Sequence, residues 1–159
     1  MLISLREYAL KALETAKEDL RRDKYLIPVA FIVTEGEVFD FNLQFEDAEQ
    51  KRSVYRELVG IAREKRAHAI ITMSDAKVTD RGGGGGGYSV YTPSSSEGGG
   101  EIECIYVTVS GPSIQTWSLC LPYERVGAKI VFGEANETFN DLLNLLPGWP
   151  NEEARCGPS

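Results

Sequence analysis

Histidine occurs once in this chain, at His68, and cysteine only at Cys104, Cys120 and Cys156. A zinc site draws on several such ligands at close spacing, and one imidazole with three scattered thiols does not compose one. A nucleophile–histidine–acid set fails on the same scarcity, because nothing local brings a Ser or Cys to His68. An odd cysteine count without a C-x-x-C pair reads as reduced thiols, hence as a cytoplasmic protein. Apolar runs are short. None reaches the roughly 20 residues that cross a bilayer, and the opening Met1-Leu2-Ile3-Ser4-Leu5-Arg6-Glu7 lacks the long apolar core of a signal peptide.

Positive charge is also in deficit, with a net charge of −7. Residues 1–66 are nearly balanced, with 12 basic and 13 acidic side chains, whereas residues 101–159 hold 3 and 8. A nucleic-acid binder needs clustered Lys and Arg to displace counterions, and an acidic surface repels anionic membranes, so neither partner is expected. No cofactor motif is present either. The stretch at Gly82–Gly87 lacks the Gly-x-x-x-x-Gly-Lys-Ser/Thr form, and no Lys or Arg lies between Gly82 and Gly100 to meet a phosphate.

What is present is a globular pattern of 159 residues, long enough to bury a core as one domain. Leu2, Leu5, Ala9, Leu13, Ala16 and Leu20 step by three or four and predict a helix over about 2–22. Tyr25 to Val33, with Pro28 early in the run, suits an edge strand or a strand start. After the turn Thr34-Glu35-Gly36-Glu37, residues Val38 to Leu43 alternate and complete a hairpin, with Phe39, Phe41 and Leu43 on its buried face. Asp47-x-x-Gln50 has the form of a capping box, with Phe45 placed to pack on the helix it opens. That helix runs to about Lys65, with Val54, Leu58 and Ile61 inward and its arginines on a solvated face.

Ala67 to Met73 reads as the central strand, with His68 structural at its entry and Ser74-Asp75 where it leaves the core. From Thr79 to Gly100 the composition shifts, with nine of the sixteen glycines and two tyrosines, Tyr88 and Tyr91. Such a segment buries too little to offset its chain entropy and is expected to be a mobile insertion over 80–100. Glu101 to Val109 alternates cleanly, Ile114 to Leu121 returns, and Pro122 to Gly127 turns into Ala128–Phe132, a three-stranded meander. Asn136 is placed to cap a short helix carrying Phe139, Leu142, Leu143 and Leu146, and residues 150–159 read as a disordered tail.

The expected class is therefore α+β over residues 1–149. It is a single, largely antiparallel sheet of about five to six strands, in the order α-β-β-α-β-β-β-β-α, with two long helices and one short one. That order resembles the plan of profilin-like and roadblock-type modules. The run Ile70-Ile71-Thr72-Met73-Ser74-Asp75-Ala76, followed by the β stretch Glu101 to Gly111, also resembles small bacterial and phage-type α+β proteins. In their pattern a strand ends in Ser-Glu-Ala-Trp, but here Lys77 stands where the Trp would be. The resemblance implies a fold and no activity.

No catalytic set is expected. Candidate ligand contacts are Ser74, Asp75, Asp80, Arg81, Tyr88 and Tyr91. Asp75, Asp80, Glu101 and Glu103 could converge at one sheet end to hold Mg²⁺ or Ca²⁺. The leading expectation is a non-catalytic cytoplasmic binding module with a protein partner or self-association. The alternative is a small-molecule enzyme or sequestering protein with its pocket between Ser74-Asp75 and the Gly-rich loop. A structural subunit of a larger assembly is a third.

Overall fold

A computed structural model describes residues 2–80, 88–91 and 101–139, with Leu146 and Trp149. The apolar stripe near the N-terminus forms helix α1 (Leu2–Asp23), and Leu5, Ala9, Leu13, Ala16 and Leu20 are all buried. Two of these are alanines, so the helix axis lies close to the sheet beneath it. Arg21 and Arg22 in the last turn complement the helix dipole. Lys24, with φ 69°, then turns the chain away, its N–H donating to the Leu20 carbonyl at 2.8 Å.

Strands β1 (Val29–Val33) and β2 (Val38–Asn42) make the expected hairpin, from Val29 opposite Asn42 to Val33 opposite Val38. β1 starts later than the apolar run suggested, and it is an interior strand with β3 on its other side. Pro28 sits just ahead of it and only accepts a bond, from the Leu43 N–H at 2.8 Å, so its missing N–H costs the ladder nothing. Helix α2 (Ala48–Glu64) opens on the capping box: Gln50 N–H donates to Asp47 Oδ1, and Gln50 Oε1 accepts from the Glu46 N–H, both at 2.8 Å. Phe45 packs edge-on to Tyr55, with 6.3 Å between ring centres.

The central strand is longer than its apolar core. β3 (Ala69–Asp80) pairs with β5 (Glu101–Ser110) from Ile70–Ser110 to Thr79–Glu101, and β4 (Tyr88–Tyr91) lies along the outer half of β3. Strand therefore reaches Asp80 and recurs at Tyr88–Tyr91 inside the stretch expected to be a mobile insertion, while β5 opens at Glu101, where the alternation placed it. The alternating β5 templates β3 well past Met73, and a paired ladder outweighs weak local propensity. Residues 81–87 and 92–100 lie outside the described residues.

β6 (Trp117–Val126) is also longer than expected and runs through Pro122, where the sequence suggests a turn. The Pro122 carbonyl accepts from Gly133 N–H at 2.8 Å, so its nitrogen faces the same edge, away from β5. There β6 changes neighbours, from β8 (Asn136–Phe139) to β7 (Lys129–Phe132), and no ladder bond is lost. The turn falls instead at Gly127, with φ 63°.

Asn136 does not cap a helix. It opens β8, whose residues pair with Trp117–Cys120 of β6, and residues 140–145 lie outside the described residues. The anchors are polar. Trp117 Nε1 donates to Glu137 Oε1 at 2.7 Å, Arg6 of α1 grips Glu137 through two N–H bonds, and Ser118 meets Thr138 at 2.7 Å.

The result is one antiparallel sheet of α+β class, in the order β2-β1-β3-β5-β6-β7, with β4 beside β3 and β8 beside β6. Alternation sorts its two faces. Ile71, Met73, Ile105, Val107, Leu119 and Trp117 pack under α1. Ala30, Ile32 and Ile70 pack with Tyr55, Leu58 and Val59 of α2, joined by Leu146 and Trp149. Among the described residues no helix is long and apolar enough to cross a membrane.

Candidate functional site

Ser74 and Asp75 are consecutive in an extended strand, so they point to opposite faces and cannot line one cavity. Asp75 lies on the α1 face, diagonal to Glu103 on β5. Burial raises its carboxyl above the usual range, partly offset by its own backbone hydrogen bond, and the Glu103 charge pushes the same way as burial. Those two of the four acids do come together.

Glu103, however, is already occupied. Arg125 donates to both of its oxygens at 3.0–3.1 Å, and Tyr123 Oη–H donates to Oε1 at 3.1 Å. Arg125 Nη1 is tied in turn to the Lys24 carbonyl at 2.9 Å, which anchors the end of α1. Burial alone would raise the Glu103 carboxyl, but the hydrogen bonds from Arg125 and Tyr123 outweigh it and hold the group below its ordinary value. The Tyr123 hydroxyl is raised by burial and by the carboxylates of Glu103 and Asp75.

The other acids are at the far end of the β3–β5 ladder, Asp80 opposite Tyr88 and Glu101 opposite Thr79. Tyr91 stands opposite Lys77, and Arg81 lies outside the described residues. Among the described residues no three metal-binding side chains converge.

His68 is half-buried at the entry to β3, its N–H donating to the Val33 carbonyl at 2.7 Å. The His68 carbonyl sits where a Cβ on Gly111 would be, so that position at the end of β5 admits only glycine. Cys104 and Cys120 are buried diagonal neighbours on the face opposite α1, and both are free. The hydrogen bond to Cys120 and burial push the Cys104 thiol up, which makes it a poor nucleophile.

A better-formed concavity lies elsewhere. Between α1 and the β1–β2 hairpin runs a groove of about 620 Å³. Its floor is Val29, Phe31 and Met73, and its wall is Tyr8, Ala12 and Thr15 of α1. Tyr8 meets Phe31 edge-on, with 5.6 Å between ring centres. Tyr25 and Ile27 close one end, 59% and 45% exposed although both are large and apolar. Charged groups border it: Lys11, Asp19, Arg22 and Asp23 on the helix side and Asp40 on β2, with Asn42 at the end of the same strand. Arg22 is held by Asp19 at 3.0 Å and by Asp23 at 2.9–3.0 Å, and its hydrogen bond keeps the Asp23 carboxyl below its usual value.

Sequence reasoning missed this groove because it places Tyr25 and Ile27 in a strand and gives Tyr8, which lies off the apolar stripe of α1, no role. The available signal was that bulky apolar side chains stood off both buried stripes.

No protein-family model matches the chain, and neither a curated protein nor a solved structure matches it.

Proposed function

We propose that the protein is a non-catalytic cytoplasmic binding module whose ligand seat is the groove between α1 and the β1–β2 hairpin. The observation that carries this reading is the exposure of Tyr25 and Ile27 at the mouth of a 620 Å³ groove floored by Phe31 and Met73. Ligand seats commonly enclose about 300–1,000 Å³, mostly apolar, with a few polar groups at the edge that set orientation. Glu103, Arg125 and Tyr123 are committed to one another instead, which is what an ion pair bracing α1 against the sheet requires. Unlinked Cys104 and Cys120 support the compartment. The plan of profilin-like and roadblock-type modules is our proposal for the α1-β1-β2-α2-β3 order, with β4 and β8 as additions to it.

Titration of the full chain with an aromatic amine such as tyramine, followed by NMR, is the test. Shifts should concentrate at Tyr8, Tyr25 and Phe31, and Ala12→Phe, which fills the groove from its wall, should weaken binding at least tenfold. Shifts scattered over the surface, or binding indifferent to Ala12→Phe, would remove the proposal.

The raised carboxyl of Asp75 favours a second reading, a small-molecule site at the outer end of β3 beside the Gly-rich segment. Deleting residues 82–100 should abolish ligand binding on that reading, and should leave tyramine binding unchanged on the first.

A further inference from the structure

We propose that β2 takes up an extended basic peptide as an added strand; this rests on the groove reading above and names its occupant. The hydrogen-bond phase of the hairpin sets the geometry. Thr34 N–H donates to the Glu37 carbonyl at 2.9 Å, and Leu43 N–H donates to the Pro28 carbonyl at 2.8 Å. With the register from Val33–Val38 to Val29–Asn42, alternate residues 37, 39, 41 and 43 spend their backbone groups on β1. Val38, Asp40 and Asn42 therefore direct N–H and C=O outward, and among the described residues β2 stands at the end of the sheet order with no neighbour on that side. All three are exposed, and Asp40 and Asn42 also line the groove. An unpaired edge is a template for one more strand, and here the template opens onto an apolar trough.

Charge chooses the partner. A second copy pairing antiparallel about Asp40 would set two carboxylates face to face, which is unfavourable. Glu35 and Glu37 at the hairpin turn are exposed and add to that repulsion. Of the cations at the groove, Arg22 is engaged by Asp19 and Asp23, and Lys11 lies on the opposite, helix side. A peptide alternating Lys and Val answers both surfaces. Its lysines extend over β2 on the α1 face, where their ammonium groups reach Asp40 at the groove rim, and its valines fall on the side of Phe39 and Phe41.

The probe is the blocked peptide Lys-Val-Lys-Val-Lys-Val-Lys, added to the full chain, with amide hydrogen exchange read by NMR. Saturation should slow exchange of the Val38, Asp40 and Asn42 amides at least tenfold. Alternate N-methylation of the peptide should cancel the effect, and Asp40→Lys, at an exposed position that tolerates it, should weaken binding about fivefold. Peptide-induced shifts at Tyr8 and Phe31 without slowed exchange at those three amides would overturn strand addition and leave the groove intact. Failure of the peptide to bind a chain that still binds tyramine would do the same. Equal binding of the Glu-for-Lys peptide would overturn the charge argument. Protection that grows with protein concentration and needs no peptide would assign the edge to a second copy and overturn the proposal.

Discussion

Asp75 and Glu103 are both carboxylates on one sheet face, and their surroundings push them in opposite directions. Glu103 is held low by Arg125 and Tyr123, so its support for the fold is present above its unfolded value and is lost as pH falls through the folded one. Asp75 is raised by burial first and by Glu103 second, so its contribution is favourable below the unfolded value and is lost as pH rises through the folded one. Asp75→Asn should therefore raise the melting temperature at pH 7, and the gain should shrink to nothing as melts are repeated toward acid. A gain independent of pH would contradict this assignment. The alternation of Glu101 to Val109 already placed Glu103 on one strand face, so a carboxylate near Asp75 was legible in the sequence. That Arg125 and Tyr123 would claim it was not, because Pro122 disguised their strand as a turn.

Among the elements, the two long helices, the β1–β2 hairpin and β5 follow signals within their own segments, whereas β8 and the outer half of β3 do not. The stripe of α1 and the capping box of α2 lie within single segments, and both helices form as the spacing predicts. β8 and the outer half of β3 exist because a neighbour templates them: Thr138 meets Ser118, and Lys77 to Thr79 meet Glu101 to Glu103. No window on either segment alone contains that information. The close approach at the end of β5 offers a sharp check on this ladder. Gly111→Ala forces a methyl against the His68 carbonyl, and it should cost about 1–3 kcal/mol in denaturant unfolding. A loss within about 0.5 kcal/mol, the range of an inert surface change, would mean the two backbones do not meet there.

At the scale of the molecule, one sheet is clad by α1 on one face and α2 on the other, and among the described residues α1 leaves a strip bare beside the β1–β2 hairpin. The single antiparallel sheet expected from the order of elements is present, and its centre is the β3–β5 ladder of ten paired residues. Where the bare strip falls depends on helix placement, which periodicity does not specify, and so the groove beside β1–β2 was invisible to it. Intermolecular Overhauser contacts between bound tyramine and the protein's aromatic protons bear most directly on the central claim. Contacts to Tyr8, Tyr25 and Phe31 are predicted; contacts confined to Tyr123 and Tyr106, toward the outer half of the β3–β5 ladder, would contradict it.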